Sequence, residues 1–320
     1  NTQEEGFEQM DYSFNQGVNF FDTAEVYAVP PRQETQGKTE EIIGNWFIKS
    51  KKREKIILAT KMVGPGVEWI RNGGGNYTEE NVAKAIDGSL KRLQTDYIDL
   101  YQLHWPERNT NYFGKRNYEH DLGEGKWNDL ESVLKVLKKF VDQGKIKYVG
   151  VSNETPWGLS KFIEVAEQLK LPRIVSVQNP YNLLNRAYDI GMSEISCREK
   201  VGLLAYSPLA IGYLSGKYRN NEIPKNSRIG LFGDFWTRYK EDNAKKAVDD
   251  YYKLAKENGL TLTQMSLAFV NSRPFMTSNI IGATTMEQLK ENIGTVDIDL
   301  SDEIIEKINL IHSNNPNPTP

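Results

Sequence analysis

Short apolar runs alternate with amphipathic segments along this chain, and that alternation limits its fold more than any other feature. A run such as Ile56-Ile57-Leu58-Ala59 shows no polar alternation, so a strand made from it is buried on both faces. Strands of that kind separated by helices build a parallel sheet covered by helices. The pattern predicts strands at Val18–Thr23, Lys55–Lys61, Asp99–Trp105, Tyr148–Asn153, Ile174–Asn179, Leu203–Ser207 and Asn279–Gly282. It predicts helices at Glu4–Gln16, Lys38–Lys49, Thr78–Leu93, Leu130–Asp142, Thr155–Leu169 and Ser193–Lys200, then at Ala244–Asn258, Leu262–Ser272, Met286–Ile293 and Ser301–Ile311. In Thr78–Leu93 the threonine is the expected cap, and Val82, Ala85, Ile86, Leu90 and Leu93 share one face.

The predicted fold is a single α/β domain over residues 1–320, a TIM-type (β/α)8 barrel. The strands fall one short of closure, and the first one is expected before residue 1. A doubly wound sheet is the alternative, but no Gly-x-Gly-x-x-Gly follows a strand. Gly73-Gly74-Gly75 lies in a polar loop with the wrong spacing and reads as a flexible turn. The net charge is −3, and the one basic cluster, Lys49 to Lys55, reads as a solvated helix end. Neither nucleic acid nor a membrane is therefore an expected partner. The lone cysteine, Cys197, cannot form an internal disulfide, which fits a reducing compartment and a cytoplasmic location.

Barrels place their chemistry at the C-terminal ends of the strands. Those ends carry Asp22, Lys61, His104, Ser152-Asn153, Gln178-Asn179 and Tyr206-Ser207, and Tyr27 follows Asp22 closely. Tyrosine is a poor acid at neutral pH unless its phenolate is stabilised. A lysine ammonium does that, and a carboxylate keeps a buried lysine charged. Histidine can orient a substrate oxygen by hydrogen bonding. Asp22, Tyr27, Lys61 and His104 could therefore protonate an oxygen on which negative charge develops. Each also has a plainer use: Asp22 as a cap, Lys61 as a solvated strand end, Tyr27 as rim packing, His104 as a core group. A metal held by Asp22, Glu25 and His104 would need a further ligand, and none is expected.

The stretch Asn19-Phe20-Phe21-Asp22-Thr23-Ala24-Glu25-Val26-Tyr27, the strand ending in Lys61, and Leu90–Leu103 followed by His104-Trp105-Pro106 resemble the aldo-keto reductase family. The likeness extends to the β subunits of voltage-gated potassium channels. It implies an NADPH-dependent oxidoreductase that reduces small aldehydes or ketones, with Asp22, Tyr27, Lys61 and His104 as catalytic residues. An NADPH-holding redox sensor or regulatory subunit with weak turnover is the alternative. It also implies cofactor contacts: Ser152, Asn153 and Gln178 to the carboxamide, Tyr206 stacked on the nicotinamide, and Ser207, Leu209, Gly212, Gly216 and Lys217 at the pyrophosphate. Arg228, Thr284 and Gln288 would meet the 2′-phosphate, and Glu291 and Asn292 the adenine. Arginine pairs bidentately with phosphate, and a helix opening at Thr284-Thr285 favours an anion. Trp105, Tyr112, Phe113, Tyr118, Trp127, Phe232, Phe235 and Trp236 either line a substrate pocket or pack loops, and the sequence leaves both readings open.

Overall fold

The computed structural model describes residues 1–120, 127–235 and 237–320, so Trp236 lies outside the described residues. The chain divides into two compact units, Asn1–Tyr112 with Asn117–Val177 and Phe113–Arg116 with Gln178–Pro320.

The first unit runs α1 (Gln3–Asn15), β1 (Phe20–Asp22), α2 (Lys38–Ser50), β2 (Ile57–Met62), α3 (Glu79–Leu93), β3 (Ile98–Leu103), α4 (Leu130–Asp142), β4 (Ile146–Ser152) and α5 (Pro156–Leu169), then enters β5 (Ile174–Pro180). Its helix starts are fixed locally. Thr78, Asp129 and Thr155 each accept a backbone N–H from the first turn, satisfying a donor the helix leaves bare. Pro156 sits where its missing N–H does no harm. α3 buries Val82, Ala85, Ile86, Ser89 and Leu93, close to the face expected from its spacing. Its end turns back through Gln94 in the left-handed conformation. Strands β1 to β4 pair in parallel, with Asp22 opposite Ala59, Lys61 opposite Gln102, and Gln102 opposite Gly150.

The second unit continues with α6 (Tyr188–Glu199), β6 (Gly202–Tyr206), α7 (Arg228–Phe232), α8 (Asp242–Glu257), α9 (Leu262–Asn271), β7 (Met276–Asn279), α10 (Met286–Gly294) and α11 (Asp302–Asn314). β6 and β7 are parallel, with an irregularity between Leu203 and Leu204. Strand order follows chain order from β1 to β7. Parallel strands in that order, alternating with helices, have the topology of a (β/α)8 TIM-type barrel, the class that the sequence predicts.

Several boundaries differ from the sequence reading, most by one to three residues, and two of the differences have a clear cause. The last strand is Met276–Asn279, not Asn279–Gly282, because its register is set by pairing with Leu203–Ala205 rather than by the apolar pair Ile280-Ile281. α6 begins at Tyr188, not Ser193, because the Asn185 side chain holds the Ala187 N–H and Tyr188 is buried. No helix among the described residues is long and apolar enough to cross a membrane.

Candidate active site

β1 carries Asp22 at its last position, β2 carries Lys61 near its end, and His104 directly follows β3. The parallel register brings these strand ends level. Lys61 has no exposed surface. Its Nζ donates to Asp22 Oδ2 at 2.6 Å and to the Thr23 carbonyl at 2.8 Å. The other carboxylate oxygen of Asp22 accepts from Gln102 Nε2 at 3.1 Å. Lys61 Nζ lies 4.9 Å from the centroid of the Tyr27 ring, and the His104 ring meets the same ring edge-on at 5.7 Å. The four residues expected to act together are therefore neighbours.

Burial alone would push the Lys61 pKa down. The Asp22 carboxylate, hydrogen-bonded to the ammonium, and the neighbouring Tyr27 phenol outweigh burial and raise it. His104 moves the other way. Burial, then the Lys61 charge, hold its pKa well below the usual histidine value. Its Nδ1 has no hydrogen-bond partner among the described residues. A neutral imidazole can still donate one hydrogen bond to an oxygen.

A histidine with a depressed folded pKa has a definite linkage. Between the folded pKa and the unfolded value of about 6.5, the unfolded chain binds the extra proton. Stability is then full above about pH 6.5 and falls as the pH drops, by up to about 1.4 kcal/mol per pH unit. His104→Gln is expected to flatten this acid-side loss between about pH 6.5 and 5. Urea unfolding of both proteins at several pH values checks it, and parallel curves would sink it.

The carboxamide pair of the sequence reading sits at the end of β4. Ser152 and Asn153 are buried. Asn153 is left-handed, at φ 54°, a conformation asparagine tolerates well. Its Nδ2 donates to the His104 carbonyl at 2.9 Å and to Ser152 Oγ at 3.2 Å. The end of β4 is thus stitched to the residue that follows β3.

The other cofactor candidates belong to the second unit. Gln178 is buried in β5, and Tyr206 closes β6. After Ser207, whose carbonyl accepts from Asn182 Nδ2 at 2.9 Å, the chain turns tightly through Leu209 to Gly216. Ala210, Ile211, Gly212 and Gly216 all have positive φ. A Cβ on Gly212 would fall 2.9 Å from Lys217 Cε and 3.1 Å from its Nζ, so this glycine leaves room for the lysine head. A bare backbone turn beside a cation suits a pyrophosphate. Arg228 opens α7. Thr284 donates to Gln288 Oε1 from both N–H and hydroxyl, each at 3.0 Å. Glu291 accepts from Thr261 Oγ1 at 2.6 Å, and Asn292 is buried.

Of the aromatics, Trp105 is buried with Ala24, Val26, Val63 and Ile70, and Tyr27 and Tyr112 pack against this group. Phe113, Tyr118 and Phe235 are exposed. The sequence reading missed Gln102, although a polar residue two before His104 in an apolar strand shares its face and was a usable signal. It named Glu25 only as a possible metal ligand. Arg71, which pairs with Glu25, carried no signal at all.

Comparison with known proteins shows the family of the chain. The model of the aldo/keto reductase family matches residues 1–312. The chain is 44% identical to "Protein tas" of Escherichia coli (strain K12) over 332 aligned residues, covering 100% of this chain and 92% of that protein. It is 38% identical over 275 residues to the "Aldo-keto reductase" of Babesia bovis, covering 81% of this chain and 96% of that protein. It is 32% identical over 319 residues to the "Uncharacterized oxidoreductase YrpG" of Bacillus subtilis (strain 168), covering 98% of this chain and 89% of that protein. A match of such extent, over a parallel α/β chain whose strand ends gather a carboxylate, an ammonium, a phenol and an imidazole, places the protein in the aldo/keto reductase family of oxidoreductases.

Proposed function

We propose that this chain reduces the carbonyl group of small aldehydes or ketones at the expense of NADPH, with Tyr27 as the proton donor. The observation that carries the reading is the Lys61 ammonium, fully buried, paired to Asp22 at 2.6 Å and 4.9 Å from the Tyr27 ring centroid. A buried ion pair contributes little to stability over an apolar replacement. Beside a phenol it has a chemical use, because a fixed positive charge favours the phenolate that remains once the proton has left. When bound, NADPH supplies a hydride to the carbonyl carbon. Tyr27 then gives its proton to the oxygen, Lys61 and Asp22 hold the charge that makes this possible, and neutral His104 donates a hydrogen bond that orients the oxygen. Trp105 and Tyr112 give the site an apolar wall suited to the carbon skeleton of the substrate.

Lys217 and Arg228 supply fixed positive charge for phosphates, and Arg228, Thr284 and Gln288 are the candidates for the 2′-phosphate. A hydrogen bond to a charged group is worth about 1.5–3 kcal/mol, so NADPH is expected to bind at least about tenfold tighter than NADH. Quenching of protein fluorescence measures both, and equal affinities would remove the phosphate preference. Oxidation of NADPH by a panel of aldehydes, ketones and quinones tests the activity itself. Quenching without turnover on any of them would refute the reductase reading.

A further inference from the structure

Glu25 lies between Asp22 and Tyr27 and is 1% exposed. Burying a carboxylate is costly unless charge and hydrogen bonds match it. Here both oxygens are matched. Oε1 accepts the Val63 N–H at 2.8 Å and Arg71 Nη2 at 2.9 Å, and Oε2 accepts Arg71 Nη1 at 2.6 Å. The Glu25 N–H in turn donates to the Lys61 carbonyl at 3.1 Å. The residue is thus tied to the end of β2 on both sides of Met62. The planar fork of Arg71 fixes the plane of the carboxylate as a point charge could not.

The loop that delivers Arg71 is built for that purpose. Arg71 Nε donates to the Gly74 carbonyl at 3.0 Å. Arg71, Asn72 and Gly73 all have positive φ, at 49°, 55° and 81°. A Cβ on Gly74 would fall 2.8 Å from Asn81 Oδ1, and one on Gly75 would collide with the Gly64 carbonyl. Close packing, rather than looseness, is what requires glycine at these positions. The proposed chemistry has no use for a second carboxylate, since Asp22 already partners Lys61. Glu25 instead sits inside the turn closed by the bond from the Tyr27 N–H to the Ala24 carbonyl at 3.1 Å.

We propose that the Glu25–Arg71 pair, aimed by the Gly73-Gly74-Gly75 turn, is a positioning device that fixes the Ala24–Tyr27 turn and so sets the Tyr27 phenol against Lys61. The inference rests on Tyr27 being the proton donor.

The test uses the full chain, NADPH and a carbonyl that the wild type turns over. Arg71→Met and Arg71→Lys are measured alone and in the Tyr27→Phe background. A misplacement of about 1 Å is worth about a hundredfold in rate, and kcat of Arg71→Met is expected to fall on that scale with KM and NADPH quenching unchanged. The alkaline limb of its kcat profile is expected to move up, because a phenol no longer held against an ammonium ionises less readily. Arg71→Lys, which keeps the charge without the fork, recovers part of both. In the Tyr27→Phe background Arg71→Met changes the rate by less than about twofold. A folded Arg71→Met with wild-type kcat and alkaline limb overturns the proposal, and so does a full loss that persists without the phenol. If Arg71→Met does not fold, Arg71→Lys decides by the same criteria. Undiminished turnover in Tyr27→Phe alone removes the proton donor instead, whatever the Arg71 variants do.

Discussion

Tyr27→Phe is expected to bind NADPH as the wild type does and to reduce carbonyls about 10²–10⁴-fold more slowly. The substitution removes one oxygen and leaves the ring. The edge-on contact with His104 at 5.7 Å and the packing against the Trp105 group are contacts of that ring, so the local fold should persist. What goes is the only group proposed to carry a proton to the substrate oxygen. An alkoxide would then have to form without it, or take its proton from water. Because the loss concerns an interaction made in the transition state, kcat and kcat/KM should fall together while NADPH quenching stays constant. Turnover within a few fold of wild type would take the acid role from Tyr27.

Lys61→Met is expected to abolish measurable turnover and to lower stability by about 3–5 kcal/mol, the cost of leaving one partner of a buried pair alone. Asp22 loses its 2.6 Å partner and keeps Gln102, which offers an amide hydrogen but no charge. The Thr23 carbonyl loses its 2.8 Å donor as well. A methionine of similar length fills the space, so the deficit reports the abandoned charge rather than a cavity. The double variant Lys61→Met with Asp22→Asn carries neither charge and should recover much of the stability but none of the activity. Urea unfolding separates these outcomes. A double variant no more stable than Lys61→Met would show that the deficit does not come from the uncompensated carboxylate.

Much of the architecture was legible because the chain is locally consistent. Thr78 heads a helix whose apolar spacing leaves little choice, and the unbroken apolar run Ile56–Ala59 marks a strand, although Ile57 at its start is exposed rather than covered. β7 was misplaced because Met276–Asn279 is half polar, and only its partner strand selects it over the apolar residues that follow. The turn after β6 was unreadable for a related reason. Ala210 and Ile211 adopt left-handed angles that nothing in their side chains favours. The proposed acid site was visible as polar residues at the ends of apolar strands, a pattern whose meaning comes from the fold. Gln102 shared that pattern and could have been found. Arg71 could not, because a loop arginine is ordinarily solvated, and only the folded loop brings its guanidinium to Glu25.

The ammonium of Lys61 has three hydrogens to place. Asp22 and the Thr23 carbonyl take two of them, which anchors the head group beside the Tyr27 ring, 4.9 Å from its centroid. An ammonium carries no lone pair, so a phenol cannot give its hydrogen to it. For the acid proposed above, the side facing the lysine is thereby closed to proton transfer before any substrate arrives.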